Sequence, residues 1–192
     1  MKPTAPPDPD LPDLDFTKPL PPEPAQKPQP DAKELDAMQQ EARIGTGELG
    51  SSGFFVSFTR KHAQKQKTRS DPARVVCCED DPTTRNALVK LLQFSGYQVV
   101  GAASANELAA ALRKPPVPDA IILDVGLPDG NGFDIVRRLR ANEHFKDVPI
   151  VMFTAHGEAE DIMRGLLLGV DGYITKPAKL EALTSTLVSV LG

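Results

Sequence analysis

The feature that most constrains the fold is a fivefold alternation of apolar runs and amphipathic segments that begins at residue 74. The apolar runs predict five strands: "RVVCC", "YQVVGA", "AIILD", "PIVMFTA" and "GYIT". Each run is followed by a helical pattern, at residues 82–96, 104–114, 133–142, 158–169 and 179–191. Strands that are apolar almost throughout are typical of a parallel sheet covered by helices on both faces. We therefore expect an α/β domain over residues 74–192.

Residues 1–73 have a different composition, which predicts a tail and linker. Of the 19 prolines in the chain, 11 lie in residues 1–30, where apolar residues show no periodicity. Such a stretch buries too little surface to offset the entropy of ordering its backbone, so we expect it to be disordered and partly polyproline II. Its "PLPPEP" run could be a proline-rich ligand or a spacer.

Two short features interrupt this tail. Residues 31–44 predict a helix with Asp31 as its N-cap, and the glycine-rich "GTGELGSSG" that follows predicts its end. The apolar run "FFVSF", residues 54–58, then indicates either a docking peptide or a segment that packs back on the folded domain. The sequence does not distinguish these two interpretations.

The charge distribution argues against a nucleic-acid-binding domain. The formal net charge is −4, and the one basic run, residues 60–69, contains only His62 as a ring for base stacking. Such a run is typical of a solvated linker, and no recognition-helix pattern accompanies it, so we expect no DNA-binding output.

Location and redox state follow from the apolar residues and the cysteines. We find no stretch of 18 apolar residues and no apolar signal-peptide core at the N-terminus, so we expect a cytoplasmic protein with no membrane span. Cys77 and Cys78 are neighbours in a predicted strand and point to opposite faces, which argues against a disulfide. We expect both to be buried thiols.

Polar residues collect where the predicted strands end. Glu79 and Asp80 follow the first strand and Asp124 ends the third, while Thr154 and Lys176 lie at the ends of the fourth and fifth. The carboxyl ends of parallel strands share one edge of the sheet, which is where such folds bind ligands.

Three carboxylates at one edge repel one another unless a cation is bound. Their hard oxygen atoms suit Mg²⁺, and a lysine with a hydroxyl opposite suits a phosphoryl group. The next acid, Asp81, precedes Pro82 and is expected to cap the first of the five helices instead.

Four segments carry a resemblance to a known family. Residues 74–192 resemble the receiver domain of two-component response regulators through "VVCCEDDP", "IILDVGLPDGNGFDIVRRLR", "PIVMFTA" and "GVDGYITKP". The resemblance implies a flavodoxin-like, doubly wound sheet of five parallel strands in the order 2-1-3-4-5, with five helices. It also implies a signalling domain of bacterial type rather than an enzyme with a separate substrate.

The resemblance also implies roles for individual residues. Asp124 would accept a phosphoryl group from a phosphohistidine of a sensor histidine kinase or a histidine phosphotransfer protein. Mg²⁺ would be held by Asp80, Asp124, the Gly126 carbonyl and, through water, Glu79. Lys176 would pair with Asp124 and then with the phosphoryl group.

A switch would accompany the phosphoryl group. Thr154 would hydrogen-bond the phosphoryl oxygens and Tyr173 would change rotamer with it, while the Lys176–Pro177 bond would be cis. His156 is expected to be an exposed loop residue, or alternatively one that influences hydrolysis.

The chain ends after the fifth helix, so we expect no output domain of its own. Output would then pass through protein contacts, at a face formed by the fourth helix, the fifth strand and the fifth helix of the domain. The alternative is a receiver-like scaffold that binds partners without phosphorylation, which loss of the acids, of Asp124 or of Lys176 would have favoured.

Overall fold

The computed structural model describes residues 14–16, 18, 30–57, 72–155, 158–177 and 179–192. The helices are α1 (Ala32–Ser52), α2 (Pro82–Phe94), α3 (Ala105–Leu112), α4 (Gly132–Ala141), α5 (Ala159–Leu168) and α6 (Leu180–Leu191). The strands are β1 (Phe54–Val56), β2 (Arg74–Cys78), β3 (Gln98–Ala102), β4 (Ala120–Asp124), β5 (Gly126–Leu127), β6 (Gly130–Asn131), β7 (Ile150–Thr154) and β8 (Gly172–Thr175).

The central sheet confirms the predicted fold class and adds a strand to it. The order is β1-β8-β7-β4-β2-β3, and every pair from β8 to β3 is parallel. When the domain strands β2, β3, β4, β7 and β8 are counted as 1 to 5, their order is 2-1-3-4-5, as expected. The sixth, β1, pairs antiparallel with the outer edge of β8 and was not predicted as part of the sheet.

Two apolar clusters, one on each face of the sheet, form the core. One joins α3, α4 and α5 to alternate residues of the strands, and the other joins α2 and α6 to the residues between them. Central strands β2, β4 and β7 are buried at every position, which explains their continuous apolar runs. Cys77 and Cys78 are fully buried free thiols on opposite faces, as expected.

Side-chain caps fix where the helices of the domain begin. Asp81 accepts a hydrogen bond from the Thr84 N–H, with Pro82 at the first helical position of α2. Ser104 accepts in the same way from the Glu107 N–H and begins α3. The predicted Asp81 cap is confirmed.

The N-terminal helix is longer than we predicted. Asp31 and Glu34 form a capping box that begins α1, but the helix continues through Gly45, Gly47 and Gly50 instead of ending near residue 44. It ends at Gly53, which has the left-handed conformation with φ 82°. The expected break was wrong because the helix is held by tertiary contacts that outweigh the low helix propensity of glycine.

Of the two interpretations of "FFVSF", the structure supports the one in which this segment packs back on the domain. Phe55 is 1% exposed and joins the core cluster that contains α5. Nearer the N-terminus, Leu14 and Phe16 are buried in the same cluster, and Arg113 donates a hydrogen bond to the Leu14 carbonyl. Residues 1–13, 17, 19–29 and 58–71 of the expected tail, which include the basic run 60–69, lie outside the described residues.

No helix in the described part of the chain is both long enough and apolar enough to cross a bilayer.

Candidate phosphoryl-acceptor site

The sheet brings three predicted acids together at its carboxyl edge. Glu79 follows β2, Asp80 comes next, and Asp124 is the last residue of β4, which pairs directly with β2. One carboxylate oxygen from each of the three lies within 4.8 Å of the others. Glu79 and Asp124 are buried, whereas Asp80 is exposed and opens the cluster to water.

Lys176 crosses this cluster from the end of β8. Its Nζ lies 2.8 Å from Asp124 Oδ2 and 2.7 Å from Glu79 Oε2. The pairing with Asp124 was expected, while the contact with Glu79 was not, because that acid was assigned only to metal-bound water. The Lys176–Pro177 bond is cis, as the resemblance implied.

The close packing of these charges shifts the pKa values of Lys176 and Glu79. Burial lowers the pKa of Lys176, but its hydrogen bonds to Asp124 and Glu79 outweigh burial and leave that pKa above its usual value. Burial raises the pKa of Glu79, and the neighbouring Asp124 charge raises it further, while Lys176 opposes both effects. Lys176 therefore holds a positive charge among carboxylates that would otherwise repel one another.

The third consecutive acid after β2, Asp81, takes no part in this cluster. Its side chain caps α2, and the hydrogen bonds from Thr84 hold the pKa of its carboxyl below the usual value. The sequence did not point to Arg85, one turn into α2, whose guanidinium donates to the Glu79 and Asp80 carbonyls at 2.8 and 2.9 Å. Arg85 thus fixes the backbone that carries the two acids.

A small hairpin after Asp124 shapes the other side of the site and was also missed. Strands β5 and β6 pair Gly126 with Asn131 and Leu127 with Gly130. At Gly132, a Cβ would lie 2.4 Å from the Asp124 carbonyl oxygen, so only glycine fits there. The "PDGNG" turn chemistry was visible in the sequence, but its close approach to the Asp124 backbone was not.

Thr154 and Tyr173 lie on neighbouring strands at the edge of the site. Thr154 ends β7, and its carbonyl accepts a hydrogen bond of 2.8 Å from the Lys176 N–H. Tyr173 pairs with Met152, two residues before Thr154, so the side chains of Thr154 and Tyr173 share one face of the sheet. His156 lies outside the described residues, and its assignment stays a prediction.

The Tyr173 ring is buried, with 1% of the residue exposed. Its hydroxyl lies 3.2 Å from the carbonyl oxygens of Asp161 and Ile162 in α5, to which it can donate. A Cβ on Gly165 would overlap this hydroxyl, so the absence of a side chain there makes room for it. On its other side the ring stacks on Phe55 of β1, with centroids 6.4 Å apart.

The acids have the chemistry that a divalent cation requires. They offer three carboxylates with hard oxygen atoms, and the exposed side of Asp80 leaves room for the several waters that Mg²⁺ retains. No Cβ contact surrounds Gly126, so its backbone is open to a ligand from that side. Glu79, Asp80 and Asp124 together therefore fit a divalent cation, with one ligand atom offered by each.

Comparisons with known proteins match the part of the chain that follows β1 to one family. Residues 75–188, more than half of the chain, match the family model of the response regulator receiver domain. The phosphate regulon transcriptional regulatory protein PhoB of Escherichia coli is 36% identical over 118 residues, which are 62% of this chain and 51% of that protein. The probable transcriptional regulatory protein TcrX of Mycobacterium tuberculosis is 30% identical over 126 residues, or 66% and 53%. The chain thus spans about half the length of these curated relatives.

Solved structures resemble the same region. The chemotaxis protein CheY4 of Vibrio cholerae is 34% identical with a TM-score of 0.59, and the match covers 62% of this chain and 99% of that one. The non-phosphorylated HemR receiver domain of Leptospira biflexa is also 34% identical, with a TM-score of 0.56 and coverage of 62% and 94%. With its parallel sheet, its acidic edge and its lysine at the end of β8, this chain belongs to the response regulator receiver domain family.

Proposed function

We propose that the protein accepts a phosphoryl group on Asp124 in a two-component phosphorelay. The observation that carries the proposal is the placement of Asp124 between a lysine at 2.8 Å and two further acids, at the carboxyl end of the central strand. A buried carboxylate in that position can attack a phosphorus atom while neighbouring groups neutralise the transferred charge.

The reaction moves the phosphoryl group between two side chains. An oxygen of the Asp124 carboxylate forms a bond to phosphorus as the bond to the donor imidazole nitrogen breaks, and the imidazole keeps that electron pair and takes a proton. The product is an acyl phosphate on Asp124. Lys176, which already contacts the carboxylate, then pairs with the new phosphoryl oxygens. Arg85 holds the backbone of Glu79 and Asp80 in place.

Mg²⁺ would supply the positive charge that the transferring phosphoryl oxygens need. Asp80, Asp124 and the Gly126 carbonyl would coordinate it directly, and Glu79 would hold one of its waters. The chain itself contributes the fixed carboxylates and one lysine. The domain would promote its own phosphorylation and dephosphorylation rather than convert a separate substrate.

The phosphoryl group would act on the protein through Thr154 and Tyr173. The Thr154 hydroxyl would turn toward the phosphoryl oxygens, and the Tyr173 ring on the same face would adjust to the space that it leaves. The donor would be a sensor histidine kinase or a histidine phosphotransfer protein. The target protein would bind at the face formed by α5, β8 and α6.

The test is phosphorylation by a small phosphodonor. The full-length protein is incubated with acetyl phosphate and Mg²⁺, and the intact mass is measured. We expect the mass gain of one phosphoryl group in the wild type and in the control Asp134→Asn, whose side chain lies in the first turn of α4. Asp124→Asn should show no gain while keeping its fold. Undiminished labelling of Asp124→Asn would refute the assignment, and no labelling of any variant would favour a phosphorylation-independent scaffold.

A further inference from the structure

We infer that residues 32–56, the docked segment, are an intramolecular ligand that occupies the target-binding face of this domain. A target protein would reach the face by displacing the docked segment with a β-strand of its own that places an aromatic side chain beside Tyr173. The inference rests on the proposed function only for the assignment of the α5–β8–α6 face to target binding.

The backbone of the docked segment fills the outer edge of β8. Phe54, Phe55 and Val56 pair antiparallel with Ile174, Tyr173 and Gly172. The Ser57 N–H donates to the Asp171 carbonyl and the Thr175 N–H donates to the Gly53 carbonyl, each at 2.9 Å. A strand from another protein would need these same hydrogen-bonding groups, so both strands cannot bind at once.

The side chains show which kind of strand the edge accepts. Phe55 stacks on Tyr173 with an interplanar angle of 27°, and a Cβ on Gly45 of α1 would lie 3.0 Å from the Phe55 ring. At Gly172 a Cβ would lie 2.9 Å from the Phe55 carbonyl oxygen, so the lack of a side chain lets the added strand approach. The edge is therefore shaped for a strand with a ring at the central position.

Helix α1 covers the adjacent side of the face. Its buried residues Ala42 and Leu49 belong to the same apolar cluster as Ile162 and Leu166 of α5. The docked segment thus contacts all three elements that we assign to target binding, because α1 packs on α5 while β1 lies against β8 and α6. An aromatic strand with a flanking amphipathic helix is the ligand that this surface matches.

The docked segment also contains features that weaken its docking. Gly47 and Gly50 lie within α1, are exposed, and have no atom within 4 Å of an added Cβ. No packing requirement explains these two glycines. Each lowers the equilibrium constant for forming the helix about fivefold relative to alanine. Together with a strand of three residues, they give a segment that opens more readily than the core.

The docked segment is connected to the phosphoryl-acceptor site by neighbouring residues. The Thr175 hydroxyl and N–H both contact the Gly53 carbonyl, and the next residue, Lys176, contacts Asp124. Tyr173, two positions before Thr175, carries the ring on which Phe55 stacks. A change at Asp124 therefore has a short path to the docked segment.

Hydrogen exchange of the full-length protein measures the docking directly. The reporters are the Ser57 and Thr175 amides, which are bonded only while the docked segment is in place. We expect Gly47→Ala and Gly50→Ala each to slow their exchange by about fivefold. Phe55→Ala should speed it by about 100-fold, and Gly53→Val, at a left-handed position, should speed it without removing a core side chain. Ile44→Ala, 49% exposed on α1, is the control and should stay within about twofold of the wild type, because alanine is only a slightly better helix former than isoleucine.

A labelled peptide of residues 31–57 then tests whether the face accepts a strand in trans. We expect the peptide to bind Phe55→Ala and Gly53→Val more tightly than the wild type, and Gly47→Ala/Gly50→Ala more weakly. The peptide with its own Phe55→Ala change should not bind. Equal affinity for all the proteins, or no binding to the opened variants, would overturn the inference. No phosphodonor is present, so this result is independent of whether Asp124 accepts a phosphoryl group.

Discussion

Replacing Lys176 with methionine removes the cation that holds the acidic cluster together. Its Nζ contacts Glu79 at 2.7 Å and Asp124 at 2.8 Å, and at an effective dielectric constant of about 20 each contact represents about 6 kcal/mol of Coulomb energy. Most of that energy offsets the desolvation of the charges. Removing one partner of a buried ion pair costs about 3–5 kcal/mol, and because the Lys176 side chain is 22% exposed we expect the lower end, about 3 kcal/mol.

Urea denaturation in the absence of Mg²⁺ measures this loss. With an m-value of about 2 kcal/mol/M, the midpoint of Lys176→Met should fall by about 1.5 M. Since the pKa of Lys176 is raised in the folded protein, its contribution should be fully present below the usual lysine pKa of about 10.4 and be lost as the pH rises through the folded value.

The matched control is Lys179→Met, an exposed lysine three residues further along, which should leave the midpoint unchanged. Added Mg²⁺ should stabilise Lys176→Met more than the wild type, because a bound cation replaces the missing charge. If Lys176→Met unfolded at the wild-type midpoint, or if Mg²⁺ stabilised both proteins equally, the lysine would not be neutralising the acids.

Asp80→Ala should weaken Mg²⁺ binding by more than about 100-fold in isothermal titration, since loss of a group that only hydrogen-bonds a metal ligand already lowers metal affinity about 10- to 100-fold. An unchanged affinity would show that Mg²⁺ binds elsewhere. In the wild type we expect phosphorylation of Asp124 to change the exchange of the Ser57 amide; Thr154→Ala should still gain the phosphoryl group but lose this response, and a full response would refute the coupling. Burial raises the pKa of Cys77 and Cys78, so neither thiol should react with iodoacetamide until the protein unfolds, and a native adduct detected by mass would contradict their burial.

The fold of residues 74–192 could be predicted because its signals are local. Continuous apolar runs mark buried parallel strands, and caps such as Asp81 and Ser104 mark helix starts. The positions of Glu79, Asp80 and Asp124 followed from the rule that parallel strands end at one edge, and the structure does bring them together.

The remaining features depend on contacts between distant residues. Three glycines in α1 predicted a break, because local propensity does not show that Phe55 packs beside Gly45 or that α5 supports the helix. The pairing of β1 with β8 joins residues more than a hundred positions apart and has no local signal beyond its phenylalanines. The buried ion pair of Arg140 and Asp171, at 2.7 Å, was likewise hidden in segments that looked like an ordinary helix and turn.

Locating the phosphoryl group on the protein tests directly whether Asp124 is the acceptor. The wild-type protein is incubated with acetyl phosphate, with Mg²⁺ or with a chelator, then digested and sequenced by tandem mass spectrometry. We predict one modified residue, Asp124, whose acyl phosphate is removed by hydroxylamine and does not form in the chelator. A phosphoryl group on any other residue, or labelling of Asp124 that is equally efficient without Mg²⁺, would contradict this account.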